Sequence, residues 1–479
     1  MKYIISLFLT AFFLMLAGCQ GFLDEQVFTE YDPDTFLQSE AGVNAVLTAT
    51  YRQSRPLYRE TWFSFAGWTT DLQLERGGGY AAPAATFANF QWNASNNFFR
   101  NNWRELYEAV RNANSLLDNI DNVTAIPADK IANLKGEAQF LRAFNYYVLH
   151  DLFGGVPLVK SGLELDLQIA RASAEETSAF IVGELEAAAQ NLPVDPDLSG
   201  KASKGAAYAL LARHQLNQKN WQAAADAAKA VIDLNTYSLF TPAVGLFSVE
   251  NEGNSELIFV FESLATGPGW NYTPHAYPVG FQTGQVNYGA QFQLWRWFVN
   301  SFDENDTRRE WILTSYTNKG GELVDLMNDE ITPGIEKKYP RSFKFTPDPN
   351  ALGAQHGNDM PILRYAEVLV TRAEALNELN GPNQESIDLL NEVRARAEVP
   401  PYNLADFPSK ESLRDQILVE RGWEFFTEGL RRQDLIRHGK YISSAQERGK
   451  SLAQDHHVLF PIPQQDIDAN PSLTQNPGY

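Results

Sequence analysis

The chain has 479 residues, 44% of them hydrophobic, and a formal charge of −20 at pH 7. A chain of that size and apolar share can bury a large core, as one big domain or two interlocked ones. Its acidic surface repels phosphate backbones and anionic lipid, which argues against nucleic acid as a partner, and its lone cysteine, Cys19, excludes an intramolecular disulfide.

In chain order, Met1-Lys2 supplies a positive end and Ile4 to Ala17 an uncharged run of 14 residues, closed by the small pair Ala17-Gly18. A helix crossing the hydrocarbon core of a bilayer needs about 20 residues, so residues 1–18 read as a secretory signal. A buried core helix is the other reading, and the absence of any polar face speaks against it. Leu16-Ala17-Gly18-Cys19 looks like the bacterial lipobox, in which the cysteine sulfur is acylated and the residue becomes the mature N-terminus. Each buried CH₂ adds about 0.8 kcal/mol of membrane affinity, so a multiply acylated Cys19 is a stable anchor without a transmembrane helix. A leftover free thiol is the competing reading. Residues 19–34 then form an acidic, turn-rich, anchored stalk.

Beyond the stalk, helical periodicity dominates. Helices are predicted over Phe36–Tyr51, Asn102–Ile120, Ala128–Phe153 and Ala174–Leu192, the third halted by Gly154-Gly155 and Pro157. Two helical hairpins come next, Lys204–Leu216 with Trp221–Leu234, and Ile362–Leu379 with Glu385–Ala397. Small residues such as Ala206, Ala209, Ala212, Ala373 and Ala375 let paired helices approach closely, and neither hairpin can cover its apolar face alone. That is the logic of tetratricopeptide-type stacking with a repeat of about 34 residues; unrelated hairpins would share the pattern. Lys410–Lys440 is again helical, and 458–479 is an extended tail. Between the hairpins, residues 235–360 are rich in Gly and Pro, with a β-like run ELIFVFE at 256–262 and a polar-aromatic tract at 266–291. A similar glycine-rich tract spans 75–97. Loops this long inside a compact domain are uncommon and often functional.

Eight of the ten tryptophans fall in two windows, Trp62 to Trp103 and Trp270 to Trp311. Phe292, Trp295, Val299 and Phe302 follow helical spacing and read as core, as does Trp103 beside Leu106 and Tyr107. Tyr80, Trp92, Trp270, Tyr272, Tyr277 and Tyr288 instead sit among Gly, Pro and Asn with no apolar period. With Trp68, they are candidates to stack on the C–H face of a sugar, a job that suits rings on loops; packing that anchors the loops is the alternative. Arg76, Asn93 and Asn96 are candidate hydroxyl partners.

Enzyme signatures are missing: there is no GxSxG, HExxH, P-loop or CxxC. A glycosidase carboxylate pair leaves no local signature and stays open on these grounds. Adjacent side chains such as His456 and His457 diverge, which disfavours a metal site, and Asp303, Asn305 and Asp306 read as a solvated turn because they lack the glycine and closing glutamate of an EF-hand loop.

Several stretches together resemble one family: GEAQFLRAFNYYVLHDLFGGVPLV (136–159), NSFDENDTRRE (300–310), MPILRYAEVLVTRAEALNEL (360–379), ERGWEFFTEGLRRQDLIRHGK (420–440), LFPIPQQDIDANPSLTQNPGY (459–479) and the lipobox followed by FLDE. In this order they are similar to the SusD/RagB family of Bacteroidota surface lipoproteins. The resemblance implies a mainly α fold, about four tetratricopeptide-like helix pairs supporting a loop-rich variable part, in one domain over 35–479. It implies a lipid-anchored outer-membrane protein that captures oligo- or polysaccharide, in some members peptide, for a SusC-like TonB-dependent transporter. No enzymatic activity, cofactor or metal is expected. Cys19 matches the acylated cysteine; ligand residues lie in the variable segments, here about 62–100 and 240–360, so only location transfers. Arg142 is expected to form a structural ion pair, with Glu137 or a distant acid.

Overall fold

The computed structural model describes residues 36–55, 66–74, 81–163, 168–267, 269–278, 280–283, 286–288, 292–328 and 339–479. The signal segment, Cys19 and the stalk therefore lie outside the described residues, as do Trp62, Arg76 and Tyr80. No helix among the described residues is long and apolar enough to cross a membrane.

The long helices are α1 (Glu40–Ser54), α2 (Asn97–Asn119), α3 (Ala128–Phe153), α4 (Ala174–Asn191), α5 (Lys204–Asn217), α6 (Trp221–Asp233), α7 (Tyr365–Asn380), α8 (Gln384–Arg396) and α9 (Lys410–Phe425). Local chemistry sets their ends. Ser39, rather than Phe36, opens α1 by accepting the Gly42 N–H at 3.0 Å, and Asn96 opens α2 well before Asn102. Ser173 and Glu176 form a reciprocal capping box at α4, and α3 stops at Gly154, whose φ of 74° suits glycine.

From α1 to α8 each helix packs on a neighbour, while α1 also touches α3 and α5 also touches α7. This is the repeat-like stack expected from the hairpins, with four pairs from α1/α2 to α7/α8. Ala206, Ala209 and Ala212 of α5 and Ala224, Ala225 and Ala228 of α6 are buried, so small side chains set the close approach there. Arg142 of α3 pairs with Glu184 of α4 at 2.7 Å and with Asn114 Oδ1 at 2.8 Å, whereas Glu137 accepts from Tyr51 Oη.

The segment between α6 and α7 folds back on this stack. Strand β1 (Leu257–Phe261) runs antiparallel to β2 (Met360–Arg364), with Phe261 opposite Met360. The expected helix from Ile362 therefore begins only at Tyr365: β1 needs a partner ladder, and Pro361 is a poor helix former. Lys410–Lys440 is likewise not one helix. After Phe425 the chain turns, with Thr427 at φ 60° and Gly429 at φ 82°, before a short helix at Arg431–Arg437.

That turn serves a buried ionic centre. Arg308 bonds Asp306 and Glu420, each at 2.7 Å, and Arg364 bonds Glu256, Glu424 and Glu428, each at 2.7 Å. Arg396 joins Glu256 and Glu424, Arg394 meets Glu420 at 2.8 Å, and Lys344 meets Glu428 at 2.6 Å. Five cations thus face five carboxylates away from water, and together they fasten the 235–360 insert to α8, α9 and Arg364, the last residue of β2. Asp303 and Asn305 lie in the expected exposed turn, whereas Asp306 departs from it: it is 3% exposed and accepts from Arg308, whose guanidinium draws it inside.

Candidate functional site

Two-residue strands bring the two loop tracts together. Gln73–Leu74 pairs antiparallel with Gln293–Leu294, Gln73 opposite Leu294, and Arg341–Ser342 and Ile312–Leu313 continue the sheet. The Trp295 N–H also donates to Leu72 O at 3.2 Å. The stretches entering 75–97 and leaving 266–291 therefore lie side by side, as a shared site requires.

The rings themselves are placed differently. Trp68 stacks on Phe292 with centroids 6.2 Å apart, Phe292 on Tyr272 at 4.6 Å, and Tyr272 on Trp270 at 5.2 Å, while Phe345 meets Trp270 edge-on at 4.5 Å. This column is interior: Trp68, Tyr272 and Trp270 are 2%, 2% and 0% exposed. Tyr277 is buried too and donates its hydroxyl to Phe345 O. Trp92 sits among Phe87, Phe90, His457 and Phe460, its indole N–H donating to Tyr479 Oη at 2.7 Å. The expectation of open stacking faces is thus corrected for Trp68, Trp92, Trp270, Tyr272 and Tyr277. Each large ring removes about 150–250 Å² from water when buried, and tracts without regular ladders are held by that burial.

Of the polar candidates, Asn96 uses Oδ1 to accept the Phe98 N–H at 2.9 Å as the α2 cap. Asn93 is exposed, its Oδ1 accepting the Ser95 N–H at 3.0 Å, which leaves its amide donors outward. Tyr288 keeps the expected character. It is 48% exposed, its ring rests on His275 at 4.7 Å, and its N–H donates to Pro274 O at 2.7 Å. Asn287 fixes the same loop by donating to Pro278 O at 2.7 Å. Burial lowers His275 to about 4, so at neutral pH Tyr288 lies against an uncharged ring.

Sequence reasoning passes over Trp297, which is 49% exposed on the short helix Arg296–Val299. Its neighbours Phe298 and Val299 point inward, and that one-turn alternation is the signal that could have found it. Of the predicted core stripe, Phe292, Val299 and Phe302 are buried and Trp295 half-buried, though they span a strand and a turn of helix rather than one helix. Arg296 lies 4.5 Å over the Tyr339 ring and donates to Leu326 O and Asn328 O at 3.0 and 2.7 Å, tying the loop beside Trp297. The exposed groups of the two tracts are rings, amides and backbone, a set suited to holding polyhydroxylated ligands by contact.

A sequence model described as the SusD family matches residues 298–479, and one described as starch-binding associating with outer membrane matches 21–216. This chain belongs to the SusD family. A SusD-like protein of Formosa agariphila is 25% identical over 96% of this chain and 97% of its own length. A solved laminarin-binding SusD-like protein superposes with a TM-score of 0.79 at 24% identity, covering 92% of this chain and 100% of that one. Surface glycan-binding protein A of Bacteroides thetaiotaomicron, solved with laminarihexaose, gives 0.75 at 20% identity, with 91% and 99% covered. The SusD fold, mainly helical with tetratricopeptide-like repeats, is the one described above.

Proposed function

We propose that this SusD-family protein is a lipid-anchored, surface-exposed glycan-binding protein that captures oligo- or polysaccharide and delivers it to a SusC-like TonB-dependent transporter in the outer membrane. The observation that carries the reading is the pairing of Gln73–Leu74 with Gln293–Leu294, which sets both variable tracts on one sheet; the glycan ligands named for similar proteins supply the ligand class. Tyr288, Trp297 and Asn93 are the described groups assigned to the ligand, with Arg76 and Tyr80 retained from the sequence. Flat rings cover sugar C–H faces while amides meet hydroxyls at the edge. Shallow contact of this kind corresponds to micromolar to millimolar affinity, about 4–8 kcal/mol, weak enough for release into a pore. The role is binding without conversion.

Affinity electrophoresis through gels containing single polysaccharides tests it. One neutral glycan retards the protein, Tyr288→Ala and Trp297→Ala each relieve the retardation, and no new reducing ends form. Retardation unchanged in both variants removes the assigned face, and new reducing ends make the protein a hydrolase. For the anchor, Cys19→Ala moves the protein from the membrane to the soluble fraction and abolishes labelling by radioactive palmitate.

A further inference from the structure

A cavity of about 450 Å³ opens between α2, residues 157–162, Ile169 and the short helix Gln464–Ala469, whose first N–H, that of Gln464, donates to Ala94 O at 2.9 Å. We propose that it is a second binding site, taking a neutral sugar or cyclic polyol ring. Its walls are Trp103, Tyr107, Pro157, Val159, Ile169 and Leu473, with Arg111 and Asp466 among the few charged groups at its edge. Pockets for small ligands run from about 300 to 1,000 Å³ and combine mostly apolar walls with a few polar groups, which is this composition.

The walls are fixed before any ligand arrives. Tyr107 Oη donates to Pro157 O at 2.8 Å, Asn114 Nδ2 to Val159 O at 2.9 Å, and Asn470 Nδ2 to Ile169 O at 3.0 Å. Ser161 Oγ and the Gly162 N–H both donate to Asp118 Oδ2, at 2.9 and 2.6 Å, so these rim groups are already engaged. Asp466 differs. It forms no ion pair among the described residues and is half-buried; burial raises its carboxyl, with Arg100 acting in the opposite direction. Arg111 is exposed on the rim. A hydroxyl both donates and accepts, so a polyol satisfies the carboxylate and the guanidinium together while its C–H face meets the half-buried Tyr107, behind which Trp103 is packed as core. A simple cation would face Arg111, and a simple anion Asp466.

Saturation-transfer NMR on the full mature chain tests this, with maltose, cellobiose, laminaribiose and myo-inositol as separate probes. At least one probe gives a signal that persists in the Tyr288→Ala/Trp297→Ala double variant. It disappears in Ala469→Trp, where an indole fills the mouth, and weakens about tenfold in Asp466→Asn, since a hydrogen bond to a charged group is worth about 1.5–3 kcal/mol. Asp466→Asn keeps the test valid should the bulkier variant misfold. The site is overturned if no probe binds the wild type, or if binding is unchanged in both pocket variants. Signal lost in the double variant alone supports the loop face and sinks the cavity.

Discussion

Trp92 and Tyr288 show what a single residue does and does not reveal in sequence. Both sit among polar and glycine-rich neighbours, yet one is 5% exposed and the other 48%. Trp92 is claimed by Tyr479, a partner 387 residues away, and no local pattern carries that information. Tyr288 rests on His275, close by in the chain, and stays half open. The two residues therefore separate by experiment. Truncating a buried Trp costs about 3–5 kcal/mol, so Trp270→Ala and Trp92→Ala each lower the urea midpoint strongly. Tyr288→Ala holds stability within about 0.5 kcal/mol, as exposed substitutions do, and changes only glycan retardation. A large stability loss in Tyr288→Ala would show that its ring anchors the loop.

At the scale of elements, helices are legible in the sequence and their interruptions are not. Ala128–Phe153 is both the predicted and the observed helix, because Pro127 before it and Gly154 after it, at φ 74°, are local boundary signals. The break after Phe425 exists because Glu424 and Glu428 must reach Arg364 and Lys344, and those partners come from distant segments. Burial alone would raise the Glu424 carboxyl, but Arg396, Arg364 and Arg308 around it hold it well below the ordinary 4.5. A depressed carboxyl contributes stability that is present above the unfolded-state value and is lost as pH falls through the folded-state value. Thermal melts should accordingly show the midpoint falling as pH is lowered below 4.5. Glu424→Gln removes the charge that Arg308, Arg364 and Arg396 share, leaving each with its remaining carboxylate contacts, and costs about 3–5 kcal/mol, which urea titration at about pH 7 measures. Asp359 has the opposite sign. Burial raises it to about 7 from 3.8, while its Oδ1 accepts the Ser263 N–H. Its ionisation penalises the folded state progressively from about pH 4 to about pH 7 and fully above. Asp359→Asn, which can still accept that hydrogen bond, thus stabilises the protein by a few kcal/mol at about pH 8 and little at about pH 4.

For the whole molecule the question is whether the stacked helices open piecemeal, as repeats with nearest-neighbour contacts can, or as one unit. Three ties favour one unit. The ionic centre binds the 235–360 insert to α8 and α9, the largest cluster of buried side chains runs from Leu37 to Leu473 and meets the separate α7–α9 cluster at Ile232 and Tyr365, and the tail returns to the first half of the chain. In that tail Asn476 Nδ2 donates to Phe153 O at 3.0 Å and Phe460 O at 2.7 Å, and Arg171 donates to Thr474 O at 2.8 Å. Asn476 is 4% exposed, so Asn476→Ala leaves Phe460 O without its donor and Phe153 O with Arg171 alone, a loss of about 1–3 kcal/mol for a buried polar group. Native-state hydrogen exchange then discriminates. If the molecule opens as one unit, amides of α3 and α7 exchange with the same free energy, and Asn476→Ala lowers both by the same amount although it touches only the end of α3. Were α3 weakened while α7 kept its protection, the stack would be a string of separable repeats, and the single domain over 35–479 would have to be given up.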